Sequence, residues 1–311
     1  MIDNAALAGQ IAKIHASDDD PTRPPPLDWI KYSDSTLSQW FALLESDPEE
    51  KKVQEFLELH PSMIPGGSGD IGPGGHHQSE MGLVFREARL RGAGRDYGPD
   101  FMWVTRSSGL ITPILIEIEK PSKRWFKSDG RPTRHLADAH DQLNDWSDWF
   151  AREGNEAIFR ETYLFKEPYQ SRRLEPQYLL IYGRSNEFEL GGGHTNPDAI
   201  RHKRDGLRRK NEYFMTFDSL RPNYNHRLSI TATRTVNSVE PFAFSPVYGT
   251  SAAVSRDASL VMGDPAAAFA RSQMMSAERK LYLSQRWQHW KDVALTEKTQ
   301  GRMQGHDLGL E

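Results

Sequence analysis

Three carboxylates stand out because they lie in otherwise apolar surroundings. Asp100 opens one predicted strand, while Glu117 and Glu119 occur in the next one, within the segment ILIEIEKP at 114–121. Side chains alternate in direction along a strand, so Glu117 and Glu119 are expected on one face. A short hairpin would bring Asp100 beside Glu117. Like charges near a core are costly unless a cation neutralises them, so this pattern favours a metal site.

The expected chemistry follows from the ligand atoms. Carboxylate oxygens suit Mg²⁺ or Mn²⁺, and a chain without cysteine cannot build a thiolate zinc site. Such ions position a water nucleophile and stabilise the charge that develops on a phosphate. We therefore expect Asp100, Glu117 and Glu119 to bind metal and to support phosphodiester hydrolysis. Alternatively, the two glutamates line the solvated face of an edge strand and pair with arginines such as Arg86 or Arg89.

The elements that would position these carboxylates follow from hydrophobic periodicity. Extended segments at 83–90, 100–105 and 111–118 predict an antiparallel meander with a turn at 107–109. The other predicted elements of this region are two helices between residues 35 and 60, a helix at 133–150, a strand at 178–182, a helix at 201–210 and a strand at 212–217. This order predicts an α/β fold with a mixed central sheet flanked by helices.

The ends of the chain have different patterns. Residues 1–34 end in a proline-rich stretch and are expected to form an arm or linker. We expect residues 35–225 to form the main domain and residues 226–311 to form a C-terminal extension. The elements expected in the extension are a strand at 229–236, a loop at 247–265 and a helix at 274–294.

The C-terminal helix carries an apolar stripe of Leu283, Trp287, Trp290 and Ala294. Leaving two tryptophans in water would forfeit several kcal/mol of burial, at roughly 25 cal/mol per Å². The stripe is therefore covered either by the core of its own chain or by a second subunit.

Basic residues are concentrated around the acidic strand although the net charge is -4. We expect two groups of them to contact phosphates, and the alternative is a solvated surface. The first group is Lys123, Arg124, Lys127 and Arg131, between the acidic strand and the following helix. The second group is Arg204 and Arg208, in the basic segment at 201–210.

Membrane association is not expected. No window approaches the roughly 18 consecutive apolar residues of a membrane span, and the N-terminal residues lack the charged-then-apolar pattern of a signal peptide. The sequence therefore predicts a cytoplasmic protein.

The order of strand with Asp, turn, strand with Glu-x-Glu and then helix resembles the PD-(D/E)xK nuclease superfamily. That resemblance implies a PD-(D/E)xK nuclease-like fold in which Asp100 and Glu117 bind metal. Glu119 occupies the position where lysine is usual in the motif. Lys120 is next in sequence, and it would contribute to catalysis only if a bulge at the strand end turned it back.

A second resemblance covers residues 54 to about 220. Its segments are QEFLELHPSMIP at 54–65, GPDFMWV at 98–104, ILIEIEKPSKRWFKSDGRPTRHLADAHDQLNDWSDW at 114–149, YLLIYGR at 178–184 and YFMTFDSL at 213–220. They resemble the nuclease domain of the Shedu bacterial anti-phage defence proteins.

The Shedu resemblance implies a DNA endonuclease, acting on double-stranded DNA, that assembles as a homo-oligomer, either a dimer or a tetramer. It also implies that Gln142, which matches a helix glutamine of that family, lies beside the metal carboxylates and belongs to the catalytic site. Two alternatives stay open: a nuclease-like protein that binds nucleic acid or a partner without cutting, and a nuclease that acts on RNA.

Overall fold

One mixed sheet organises the chain. The computed structural model describes residues 23–72, 79–92 and 94–299. Within them the strands are β1 (Leu83–Arg86), β2 (Phe101–Arg106), β3 (Leu110–Ile118), β4 (Arg173–Leu174), β5 (Gln177–Ile181), β6 (Glu212–Met215), β7 (Ile230–Arg234) and β8 (Val239–Phe244). Their spatial order is β6-β5-β3-β2-β1-β7-β8, with β4 paired to β3. The predicted mixed central sheet is confirmed.

Helices pack on the two faces of this sheet. The α-helices are α1 (Trp29–Glu45), α2 (Glu50–Leu59), α3 (Arg134–Ala151), α4 (Asn155–Tyr163), α5 (Glu167–Gln170), α6 (Pro197–Leu207), α7 (Asp257–Val261), α8 (Ala266–Arg271) and α9 (Ala277–Thr299). Among the described helices, none has the length and hydropathy that crossing a bilayer would need.

Strand β3 separates two hydrophobic cores. Ile114 and Ile116 belong to the core that contains Trp40 of α1 and Leu57 of α2. Leu115 belongs to the other core, which contains Leu143 and other apolar residues of α3. Because side chains alternate along a strand, the residue two positions after Leu115 must lie on the α3 side. That residue is Glu117.

The predicted antiparallel meander is confirmed, since β2 pairs antiparallel with both β1 and β3. The first strand is shorter than expected. It ends at Arg86 because Glu87 takes a positive φ of 45°, a conformation that interrupts an extended strand. Helix α1 begins at Trp29, inside the predicted arm, because the Asp28 side chain accepts a hydrogen bond from the Lys31 backbone and caps it. Residues 1–22 of that arm lie outside the described residues.

The sheet continues beyond residue 225. Strand β7, which matches the strand expected at 229–236, pairs parallel with β1, and β8 pairs antiparallel with β7. The expected loop at 247–265 was wrong in part, because it contains a π-helix at Ala252–Arg256 and helix α7. The π-helix packs against α9, a contact between distant parts of the chain that local sequence pattern does not reveal.

The apolar stripe of α9 is covered by its own chain. Leu283 and Trp290 are fully buried, and Trp287 is 4% exposed. The Trp287 ring lies edge-on to that of Phe244 in β8, at 5.6 Å between centroids. The interpretation of this stripe as a subunit interface is therefore wrong, and packing on the chain's own core is confirmed.

Replacing Trp287 with Ala should destabilise the protein by about 3–5 kcal/mol, because it removes a large side chain from a closed core. Denaturant unfolding measures this change. Leu281 lies on the same helix but is 62% exposed, so Leu281→Ala should change stability by less than about 0.5 kcal/mol. Equal effects of the two substitutions would contradict the packing described for α9.

Candidate active site

The hairpin of β2 and β3 brings two carboxylates together. Phe101 pairs with Ile116, so Asp100 lies one position further along, beside Glu117. Asp100 Oδ2 accepts a hydrogen bond from the Ile118 backbone N–H at 2.9 Å. Glu117 is 8% exposed and lies at the end of β3. One of these two neighbouring carboxyl groups is therefore fixed by the backbone of the strand that carries the other.

Two more glutamates complete the group. Glu119 follows β3, where its backbone N–H donates to Ile181 O at 3.2 Å, and its carboxyl group shares a hydrogen bond with that of Glu50. Sequence reasoning missed Glu50, whose only signal is an acidic residue in the first turn of a predicted helix. Asp100, Glu117, Glu119 and Glu50 are called the acidic cluster below.

Three carboxyl groups of the acidic cluster have raised pKa values. The pKa of Asp100 is raised to about 7, chiefly by burial; the Ile118 N–H opposes this rise, and the charges of Glu50 and Glu119 add to it. Burial also raises the pKa of Glu117 well above its usual range, and the neighbouring Asp100 adds to this effect. The pKa of Glu50 is raised by its own burial and by Glu119. Protons or cations must therefore compensate these carboxylates at neutral pH.

Helix α3 supplies a polar partner for the cluster. The helix begins after Thr133, whose hydroxyl caps it by accepting a hydrogen bond from Leu136 N at 3.2 Å. Two turns later, Gln142 hydrogen-bonds to the Glu117 carboxylate, which favours its ionised form. Glu117 Oε2 is buried and has no hydrogen-bond partner within the described part of the chain. A buried acceptor atom without a partner favours binding of a cation or of a hydrogen-bond donor.

Two lysines near the end of β3 take different directions. The Lys120 ammonium contacts Glu49 Oε1 at 2.8 Å and Asp47 Oδ2 at 3.9 Å, in the turn between α1 and α2. The Lys123 ammonium instead forms an ion pair with Glu119 of the acidic cluster, four residues earlier. Lys123 is thus the lysine that contacts the cluster, although the sequence pattern drew attention to Lys120.

The carboxylate oxygens suit a hard divalent cation, but in the present side-chain conformations they do not form a complete metal site. Across residues 23–72, 79–92 and 94–299, no three Asp, Glu or His side chains are arranged to hold a metal ion. Asp100 is hydrogen-bonded to Ile118 N and Glu119 is paired with Lys123. The unpartnered Oε2 of Glu117 and the all-oxygen donor set fit Mg²⁺ or Mn²⁺ once these side chains turn.

The basic loop between β3 and α3, residues 120–133, is fixed to the core by hydrogen bonds to a buried carboxylate. Trp125 and Phe126 are fully buried, and their backbone N–H groups each donate to the buried Glu187 carboxylate at 2.9 Å. These two aromatic residues therefore anchor the loop to the core. Arg124 is half exposed and donates to Gly192 O at 2.6 Å.

The other predicted phosphate contacts differ in exposure. Lys127, Arg131 and Arg208 are exposed, and Arg131 pairs with the nearby Asp129 at 3.1 Å. Arg204 is largely covered: it pairs with Asp205 at 2.9 Å and lies over the Phe188 ring. Lys127 and Arg131 are therefore better placed than Arg204 to meet a ligand from solvent.

Gln142 also lines a cleft that is rich in acidic side chains. This cleft of about 310 Å³ lies between α3 and residues 95–98. Its lining includes Asp138, Asp141 and Asp145 on one face of α3, with Asp96 and one basic residue, Arg95, opposite them. Gln142 thus lines this cleft and also contacts Glu117 of the acidic cluster.

Comparison with known families gives a match over the central part of the chain. Residues 47–221 match the family described as Shedu protein SduA, C-terminal. The match includes α2 with Glu50, the β2–β3 hairpin, the basic loop and α3 with Gln142. A search of curated proteins finds no match. Since the matched segment spans more than half of the 311 residues, the chain belongs to the Shedu family.

Proposed function

We propose that this protein is a metal-dependent DNA endonuclease of the PD-(D/E)xK kind that acts in anti-phage defence. The observation that carries the proposal is the buried Glu117 carboxylate, which has an unpartnered oxygen beside Asp100. Membership of the Shedu family suggests the defence role. The homo-oligomer, a dimer or tetramer, is part of the proposal and rests on the family alone.

Asp100, Glu117 and Glu119 would hold Mg²⁺ or Mn²⁺, and Glu50 is a fourth acidic group within the same cluster. The bound ion would supply an activated water and stabilise charge on the phosphate. Gln142 orients the Glu117 carboxylate through its side-chain amide and opposes part of the rise in its pKa. Lys120, which pairs with Glu49, has no role in this proposal.

Charge around the cluster favours one direction of approach for DNA. The cleft with Asp138, Asp141 and Asp145 repels phosphates, whereas the loop with Lys127 and Arg131 attracts them. We propose that the duplex backbone lies over the basic loop. The acidic cleft would then keep the strand from sliding across α3.

Two other functions stay possible, and both can be tested. A scaffold that binds without cutting would leave plasmid DNA intact with Mg²⁺, and a ribonuclease would cut RNA in preference to DNA. The raised pKa values of Asp100 and Glu117 favour a catalytic site over a scaffold, because an inert surface has no use for buried, mutually repelling carboxylates.

The isosteric substitutions Asp100→Asn and Glu117→Gln should each lower Mg²⁺-dependent cleavage by more than about 100-fold, because each removes a charged metal ligand. Conversion of supercoiled plasmid with Mg²⁺, and with EDTA as the blank, measures the rate. Glu55→Gln changes an exposed glutamate of α2 that pairs with Lys52, and should cut at the parental rate. If either cluster variant matches the parent, the proposed metal site is wrong.

Removing two loop charges together, with Lys127→Ala and Arg131→Ala, should reduce the slope of log affinity against log salt concentration by about two, because fewer counterions are released. Fluorescence anisotropy with a labelled duplex measures the slope. Arg173 is 74% exposed in β4, at the opposite end of β3, and Arg173→Ala should leave the slope unchanged. A double variant with the parental slope would rule out the loop as the phosphate contact.

A further inference from the structure

The ion pair of Lys123 with Glu119 places a positive charge inside the acidic cluster. Glu119 also shares a hydrogen bond with Glu50, and the charge of Lys123 lowers the pKa of Glu50 against the effect of burial. The Lys123 side chain is 27% exposed and the Glu119 side chain 13%, so the pair is partly shielded from water. Lys123 therefore supplies some of the compensation that these carboxylates need.

A fixed ammonium and a divalent cation compete for the same oxygen atoms. Glu119 cannot turn fully towards a metal while it holds Lys123, and a metal beside Glu119 would repel the ammonium. Lys123 also lies in the basic loop, whose backbone is fixed two residues later by the bonds from Trp125 and Phe126 to Glu187. Its side chain can change partner while the loop stays in place.

We propose that the Lys123 ammonium stands in for a metal ion as the partner of Glu119. A phosphate of the bound nucleic acid would pair with Lys123 and release Glu119, so that nucleic-acid binding and metal binding strengthen each other. The inference rests on the proposed function, because it assumes that the acidic cluster binds a metal. Linkage requires the coupling to be reciprocal: the factor by which DNA raises metal affinity equals the factor by which metal raises DNA affinity. Metal loading would then be favoured where substrate is present.

The direct test is Mg²⁺ titration by calorimetry, without DNA, on the full-length parent and the variant Lys123→Met. Methionine keeps most of the length of the lysine side chain but removes the competing charge, so Mg²⁺ should bind on the order of tenfold more tightly. The matched control is Lys52→Met, which removes an exposed ammonium paired with Glu55 on α2. This control should bind Mg²⁺ with the parental affinity.

A second titration measures the coupling. Ca²⁺, whose longer and more flexible coordination suits carboxylates, is titrated with and without a short duplex, and a gel checks that the duplex stays intact. DNA should raise the Ca²⁺ affinity of the parent several-fold and that of Lys123→Met much less. Lys123→Gln, a second neutral variant, repeats both titrations in case the methionine variant does not fold.

The outcomes separate the two hypotheses. If the parent binds Mg²⁺ but the neutral variants bind it no more tightly than the parent, the stand-in role of Lys123 is overturned and the proposed metal site survives. An equal tightening in Lys52→Met would also overturn the role, because it would reflect net charge alone. If neither the parent nor the Lys123 variants bind metal, the proposed metal site is contradicted, and the inference about Lys123 fails because it depends on that site.

Discussion

Repulsion among carboxylates at the end of β3 is the interaction on which this site depends. Asp100 and Glu117 lie side by side because the hairpin register allows no other placement, and burial removes the water that would screen them. Backbone and amide donors offset part of this repulsion through Ile118 N and Gln142. Protons or a cation must compensate the remaining repulsion. The arrangement that is unfavourable for the folded protein therefore also favours a cation-binding site.

The rest of the structure maintains this arrangement. Alternating apolar side chains hold β3 between two hydrophobic cores. Glu117 therefore cannot turn away from α3 without disrupting the packing of both cores. Glu187 holds the basic loop through two backbone N–H groups and places Lys123 within reach of Glu119. The pairing of β7 with β1 extends the sheet on the side away from the site, and α9 seals that end with Trp287.

Local pattern in the sequence was enough to predict the hairpin, the neighbouring carboxylates and the following helix, because each depends on residues close together in the chain. Glu50 was missed because an acidic residue in a first helical turn is common and carries no specific signal. The loop that carries Lys123 is held in part by Glu187, about sixty residues later in the chain, a contact that spacing alone could not reveal. The stripe of α9 could be assigned to a covered surface, but only the contact with Phe244 identified what covers it.

The most direct test is the free energy of unfolding of the parent and Glu117→Gln, in EDTA and in Mg²⁺, between pH 5 and 8. A raised carboxyl pKa means that the folded state holds protons that the unfolded chain releases from about pH 4 upward, so stability in EDTA should fall as pH rises towards the pKa of about 7 of Asp100. Mg²⁺ should restore the parent at pH 8. Glu117→Gln should exceed the parent in EDTA at that pH and gain little from Mg²⁺. A variant no more stable than the parent in EDTA, or an equal gain from Mg²⁺ in both proteins, would contradict a buried acidic cluster that needs a cation.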